Sequence, residues 1–442
     1  MASFAIALLL VVTDLASQQA GVFAVPEAAP HAQAVLASLT AKEFATVEAQ
    51  FNDKMKAALP AGALEISWTR LIAQAGSLKQ CGVTRVQPIG DLQVTVTSCE
   101  FEHGMLDGQV VFDRDGKLAG LFFRPPSATS PPYSAPSYAN PESYTESELT
   151  VGSGEWALPS TLDVPVGAGP FPAVVLVHGS GPNDRDETIG PNKPFKDLAL
   201  GLASLRIAVL RYDKRSKVYP AKLAALPGLT VKQEVVDDVL EAVKTLRAQP
   251  RIDAARVFVL GHSLGAMLIP RIAVADASAA GFIVMAGPAR PLEQSILDQT
   301  RYLAMAGGTI TPAGQTQIDD AAKLVDAVKA LTQEDAKNPQ RIFGAPAPYW
   351  LDLRGYDPPT AAKSVTRPLL VLQGERDYQV TMDDFAKWKA ALAGKTNVTF
   401  HSYPALNHLF IAGSGKSLPS EYERLAHVSE DVIRDISDWI RR

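Results

Sequence analysis

Residues 257–269 read VFVLGHSLGAMLI: the apolar run Val257 to Leu260, the string Gly261-His262-Ser263-Leu264-Gly265, then Ala266-Met267-Leu268-Ile269. A short unbroken apolar run marks a strand buried on both faces, and the residues after Gly265 fit a helix. A chain that turns from strand directly into helix forces the residue at the bend into strained backbone angles. Glycines two positions to either side remove side chains that would collide there. Such a bend holds the Ser263 hydroxyl above the sheet, at a helix N-terminus whose dipole favours developing negative charge.

Runs of the same kind occur at Ala173 to Val177, Ile207 to Leu210, Phe282 to Met285 and Leu369 to Leu372. Between them lie helical stretches, such as Val231 to Arg247 with Val235, Val239, Val243 and Leu246 on one face. Strand, turn and helix in repetition predict a doubly wound, mostly parallel α/β sheet. Residues 288–367 break the rhythm with helical patterns and Pro-rich turns but no strand run. Inserted between two core strands, they predict a helical cap over the strand C-termini, where sites in such sheets lie.

A serine needs a base and an orienting acid to become a nucleophile, and candidates for both lie downstream of Ser263. His408 lies in Leu406-Asn407-His408-Leu409-Phe410, a loop just after the last apparent strand, Val398 to Tyr403. The other two downstream histidines fit less well. His401 lies inside that strand with its ring toward a helix layer, and His427 falls in the amphipathic closing helix. Strand 369–372 runs into Gln373-Gly374-Glu375-Arg376-Asp377. Asp377 sits where a carboxylate can hold an imidazole, and Glu375 is its rival.

An oxyanion site needs two backbone N–H donors. Leu264, following the nucleophile, is one candidate. The loop His178-Gly179-Ser180-Gly181-Pro182 supplies the other, with Ser180 preferred and Gly179 or Gly181 as alternatives. Gly179, Gly181 and His262 are also candidate substrate contacts, and His178 reads as a structural loop residue. Two charged strings flank these loops, Asn183 to Glu187 and Arg211 to Arg215. Either could contact substrate, but the role expected of them is bracing through mutual ion pairs, each of small worth if exposed.

Upstream, the pattern is different. Phe4 to Val12 is an apolar run too short to span a bilayer, followed by the small-residue site Val22-Phe23-Ala24. Residues 1–24 therefore read as an export leader, which implies a periplasmic or secreted protein with no stable membrane anchor. Residues 28–124 read as a small α+β domain. Phe44, Val47, Phe51 and Met55 form one stripe of a helix spanning about 31–58, a second helix around Trp68 ends at Gly76, and a meander turns at Asp115-Gly116. Leu92, Val94 and Val96 alternate with polar residues in that meander. Cys81 and Cys99, the only cysteines, flank its first hairpin; they are either a disulfide or two buried thiols. Residues 125–144, rich in Pro and Ser, read as a linker to a catalytic domain over 145–442.

Composition agrees with a two-domain globular enzyme. The chain has 442 residues, 47% of them hydrophobic, and 42 Lys+Arg against 47 Asp+Glu. The acidic balance argues against nucleic acid as a partner, and two cysteines are too few for a zinc ribbon.

The ordered set HGSG (178–181), RYDKRS (211–216), GHSLG (261–265), QGERD (373–377) and NH (407–408) resembles the serine α/β-hydrolase superfamily. Within it, the first two strings look most like bacterial esterases often called serine-aminopeptidase-like hydrolases. The upstream domain, through Met55-Lys56-Ala57-Ala58-Leu59 and Gly120-Leu121-Phe122-Phe123-Arg124-Pro125, resembles a domain of unknown function fused to such esterases, with a nuclear-transport-factor-like or cystatin-like build. The resemblance implies hydrolysis of small carboxylic esters at Ser263, His408 and Asp377, with no metal or cofactor. A serine peptidase of the same fold is the nearest alternative, and a binding protein on a vestigial hydrolase fold a more distant one. The small domain has three candidate roles: recruiting ligand, shielding the site mouth, or forming a homodimer. The cap is expected to set acyl preference, with Phe343, Tyr349 and Trp350 either lining the pocket or packing the cap.

Overall fold

The computed structural model describes residues 28–59, 62–89, 92–124, 133–226, 228–338 and 340–442. Two compact units divide the chain, Met1–Thr129 and Ser130–Arg442. The expected leader, 1–24, and residues 125–132 of the expected linker lie outside the described residues.

In the first unit, helices α1 (Ala28–Thr40), α2 (Phe44–Glu48), α3 (Asp53–Ala58) and α4 (Ala63–Ala75) precede an antiparallel sheet. Its strands β1 (Leu78–Ile89), β2 (Leu92–Phe101), β3 (Gly104–Phe112) and β4 (Leu118–Arg124) lie in sequence order. The single helix expected over 31–58 is three helices. Lys42 takes φ 61° after α1, and Asn52 caps α3 by accepting the Met55 N–H at 2.9 Å. Val47, Phe51 and Met55 nonetheless share a core with Trp68 and Leu71. The alternation on β2 is inverted: Gln93, Thr95, Thr97, Cys99 and Phe101 are buried, while Leu92, Val94 and Val96 are half-buried. Cys81 and Cys99 are joined as a disulfide across directly opposed positions of β1 and β2.

The second unit is built on an eight-stranded sheet. Its strands are β5 (Tyr144–Val151), β6 (Leu158–Pro165), β7 (Phe171–Val177), β8 (Ala208–Tyr212), β9 (Ile252–His262), β10 (Gly281–Met285), β13 (Leu369–Gly374) and β14 (Val398–Tyr403). A two-stranded ribbon of β11 (Arg341–Ile342) and β12 (Ala345–Pro346) stands apart from it. The order is β14-β13-β10-β9-β7-β8-β6-β5, and β6 alone runs antiparallel to the rest.

Both faces of the sheet are buried, which is why its strands read as unbroken apolar runs. Ala173, Val175 and Val177 join one core with helix Asp237–Arg247. Val174 and Leu176 join the other with helices Pro194–Ser204 and Glu430–Arg441. From β7 the chain passes to β8 on one side and later to β9 on the other. The sheet's direction of growth therefore reverses between β7 and β9, leaving a crevice beyond their C-terminal ends.

The insertion between β10 and β13 is helical. Helices Leu292–Ala304 and Pro312–Ala330 pack through Leu297, Ile318, Ala321 and Val325. The ribbon β11–β12 is the strand content the sequence did not signal. Residues 133–143, read as linker, are instead fastened to this unit. Tyr133 Oη donates to Asp197 at 2.8 Å, Tyr138 Oη to the Val428 carbonyl at 2.8 Å, and the Asn140 N–H to Ser204 Oγ at 2.8 Å. Among the described residues no helix is long and apolar enough to cross a membrane.

Candidate active site

Strand β9 ends at His262, and Ser263 occupies the bend into helix Leu264–Met267 with φ 54° and ψ −117°. Its N–H donates to the Met285 carbonyl at 3.0 Å, which pins the bend to β10. The two glycines are required by close approach. A Cβ on Gly261 would lie 2.4 Å from the Gly265 carbonyl group, and one on Gly265 would lie 2.3 Å from the Val177 carbonyl oxygen. Leu264 is the first helical residue and is buried.

The loop after β7 meets this bend. A Cβ on Gly179 would stand 3.1 Å from Ser263 Cβ. The Gly179 peptide groups are both engaged: its N–H donates to Glu187 Oε1 at 2.6 Å, and its carbonyl accepts from Lys214 Nζ at 2.9 Å and Asn183 Nδ2 at 3.3 Å. Ser180 and Gly181, in contrast, are exposed at the loop tip. Gly179, one of the candidate substrate contacts, is thus a buried residue that anchors the loop through both of its peptide groups.

His262, another of these candidates, is also placed in the interior. It is buried, with Nε2 3.0 Å from the His408 carbonyl oxygen and Nδ1 2.9 Å from Glu187 Oε2. That second contact is at ion-pair distance but off the line of a hydrogen bond. Burial disfavours charge on both groups, yet the pairing prevails: the Glu187 carboxyl is held below its ordinary range and the His262 imidazole above its own. His262 thus ties the serine bend to the loops of Gly179 and His408.

His408 Nδ1 lies 2.6 Å from Asp377 Oδ2, and both residues are buried. The other carboxylate oxygen, Oδ1, accepts the N–H groups of Gln379 at 2.8 Å and Val380 at 3.0 Å, which fixes the acid against rotation. The two loops touch because residue 374 is glycine: a Cβ there would be 2.6 Å from the carbonyl oxygens of Leu406 and Asn407. The rival groups are engaged elsewhere. Glu375 accepts from Ser402 Oγ at 2.8 Å, and His401 Nδ1 is 2.9 Å from Asp435. His427 precedes the closing helix and pairs with Asp197 at 3.0 Å. Among the described residues no hydrogen bond joins Ser263 to His408. The rings of His262 and His408 lie with centroids 4.7 Å apart.

The charged strings brace these loops, but from the interior. Arg211 is 1% exposed and contacts Asp163, Asp186 and Glu146. Arg185 donates to both oxygens of Asp213 at 3.1 Å. Lys214 is buried 3.4 Å from Glu234, whose other oxygen accepts from Tyr349 Oη at 3.0 Å. Sequence reading missed Glu187 and Lys214 as individuals, because nothing in a charged run distinguishes the residue that turns inward, and it missed Glu234 as one polar residue of an amphipathic helix. Two of the three cap aromatics pack within the cap: Trp350 Nε1 donates to the Ile342 carbonyl at 2.9 Å, and Phe343 meets it edge-on, while Tyr349 joins the core on the sheet. An aromatic contact that the sequence did not signal is Tyr302, stacked on Tyr378 beside the acid with centroids 4.9 Å apart.

A parallel sheet with a reversal point, a serine on a strained strand-to-helix bend and an Asp–His pair on the neighbouring loops together describe the α/β-hydrolase class. The chain belongs to the alpha/beta hydrolase family, whose model matches residues 174–424. It is 42% identical over 405 residues to esterase EstD of Thermotoga maritima, covering 91% of this chain and 92% of that one. Residues 32–121 match a second family, described as a protein of unknown function (DUF3887). Among solved structures, 2,6-dihydroxy-pseudo-oxynicotine hydrolase is similar at 16% identity and a TM-score of 0.42 over 67% of each chain. Est1E from Butyrivibrio proteoclasticus is similar at 12% identity and a TM-score of 0.42, over 67% of this chain and 99% of that one.

Proposed function

We propose that this protein is a serine carboxylic-ester hydrolase acting on small or short-acyl esters through an acyl-enzyme, with Ser263, His408 and Asp377 as its catalytic triad. The observation that carries the reading is the buried contact of His408 Nδ1 with Asp377 Oδ2 at 2.6 Å. In the proposed cycle His408 takes the Ser263 proton through Nε2, while Asp377 accepts Nδ1–H and holds that tautomer. Ser263 Oγ attacks the ester carbonyl, and the oxyanion is held by the N–H groups of Leu264 and Ser180. Ser180 is favoured over Gly179 because the Gly179 N–H already serves Glu187. The alcohol leaves with the proton from His408, and water removes the acyl group by the same steps in reverse roles. The relationship to esterase EstD supports an ester as the bond cleaved.

The protein should turn over p-nitrophenyl acetate and butyrate and leave aminoacyl-nitroanilides intact. Ser263→Ala should lower kcat by about a thousandfold or more. Activity of Ser263→Ala within a few-fold of the parent would overturn the mechanism, and efficient cleavage of the nitroanilides would make the protein a peptidase.

We also infer that the chain is exported to the periplasm or medium of a bacterial cell. The apolar run Phe4 to Val12, the site at Val22-Phe23-Ala24 and the Cys81–Cys99 disulfide support this, since disulfides persist in oxidising compartments. Protein recovered from its native host should begin near Val25 and carry the disulfide. An intact Met1 with two free thiols is the contrary result.

A further inference from the structure

The string Arg211-Tyr212-Asp213-Lys214-Arg215 contains one residue whose position bears directly on catalysis. Lys214 is a lysine buried to 2% exposure, and a buried ammonium is costly unless its donors are all used. One donor is spent on Glu234 at 3.4 Å. Another reaches the carbonyl of Gly179 at 2.9 Å. That carbonyl belongs to the peptide between Gly179 and Ser180, whose other end is the Ser180 N–H. A trans peptide is planar, with its C=O and N–H pointing in opposite directions. Whatever grips the carbonyl from the protein side therefore aims the N–H toward the opposite side, where Ser180 is exposed.

We propose that Lys214 is the positioning residue of the oxyanion site, fixing the direction of the Ser180 N–H by holding the carbonyl of the same peptide; this rests on the esterase reading above. The bond is charge-assisted, which makes it stronger than a neutral one. It also polarises the amide, so the N–H becomes a better donor as charge develops on the substrate oxygen. A donor already aimed and polarised costs no reorganisation at the moment of reaction. The cation is itself fixed by a chain of contacts. Glu234 lies on a single turn of π-helix, Lys232–Val236, and accepts from Tyr349 Oη at 3.0 Å, a residue of helix Ala347–Leu353 in the cap. On the other side of Gly179, Glu187 takes the N–H at 2.6 Å, so the loop is held from both ends. A π-turn inserted in a helix is a frequent mark of a functional position.

The test is to replace Lys214 with methionine, which keeps the stem and removes the donor, and with glutamine, which keeps a donor without the charge. With p-nitrophenyl acetate, Lys214→Met should lose about tenfold or more in kcat while KM changes less than about threefold. Affinity for an alkyl boronic acid, whose tetrahedral serine adduct places an oxygen in the oxyanion site, should fall by the same factor. Lys214→Gln should recover part of both. Because Lys214→Met leaves Glu234 unpaired, the double variant Lys214→Met/Glu234→Gln removes both charges and preserves folding if the single variant does not. A folded single or double variant with kcat and boronate affinity within about twofold of the parent overturns the role of Lys214. So does a loss that falls on KM alone. A fluorophosphonate that labels the parent at a residue other than Ser263 overturns the esterase reading, and this inference with it. Normal labelling of Ser263 combined with unchanged kcat in the variants overturns this inference alone.

Discussion

His178 enters the core at the end of β7 with its ring between Phe195 and Tyr212, centroids 5.1 Å from each. Neither ring nitrogen makes a hydrogen bond of good geometry, and burial, with help from the Lys214 charge, pushes its pKa down to about 4 from 6.5. The folded protein therefore keeps His178 neutral where the unfolded chain takes up a proton. Its contribution to stability is complete above about pH 6.5 and is lost as pH falls toward 4, by up to about 3 kcal/mol. Asp163 and Asp238 act with the opposite sign. Burial raises both to about 6, so their contribution grows as pH falls from 6 toward 4. The histidine is thus read as a difference: His178→Phe should lose less stability between pH 7 and pH 4.5 than the parent in urea unfolding. Equal losses in the two proteins would show that His178 does not titrate in this way. Nothing in the string His178-Gly179-Ser180-Gly181 distinguishes a loop histidine from an unpartnered core histidine. That distinction depends on Phe195 and Tyr212, which arrive from elsewhere in the chain.

Among the elements, the bend from β9 into helix Leu264–Met267 was the most legible, because its requirements are local. A strand, a strained residue and two glycines occupy nine consecutive positions, and each glycine is there because backbone passes where a Cβ would be. Gly265→Ala would set its Cβ 2.3 Å from the Val177 carbonyl oxygen, backbone that cannot move without displacing β7. It should lower stability by about 3 kcal/mol or prevent folding. Gly307→Ala, on a cap turn with nothing within 4 Å of the added carbon, should leave the melting temperature unchanged. A melting temperature for Gly265→Ala equal to that of the parent would contradict the close packing at the bend. Other elements were hidden for physical reasons. Strand β5 is an edge, exposed along most of its length, so it carries no apolar signal. The helix expected over 31–58 kept its apolar stripe through two breaks, since Val47 and Met55 reach one core from separate helices and Phe51 from the segment between them.

At the scale of the molecule, each unit has its own core: the first around Val47, Phe51 and Trp68, the second on the two faces of the eight-stranded sheet. The sequence alone determined the α/β class of the second unit, its helical insertion, the strained serine and the short list from which base and acid were drawn. It could do so because apolar periodicity and glycine placement are properties of neighbouring residues. Only the tertiary structure decided which candidates meet. It joined Asp377 to His408 across 31 residues and Lys214 to the Gly179 carbonyl across 35. It also set the His262 ring beside Glu187. Such choices follow from the order in which strands lie in the sheet, which sets the loops that share the crevice between β7 and β9. A carboxylate or ammonium buried there is stable only beside the partner that the fold brings to it.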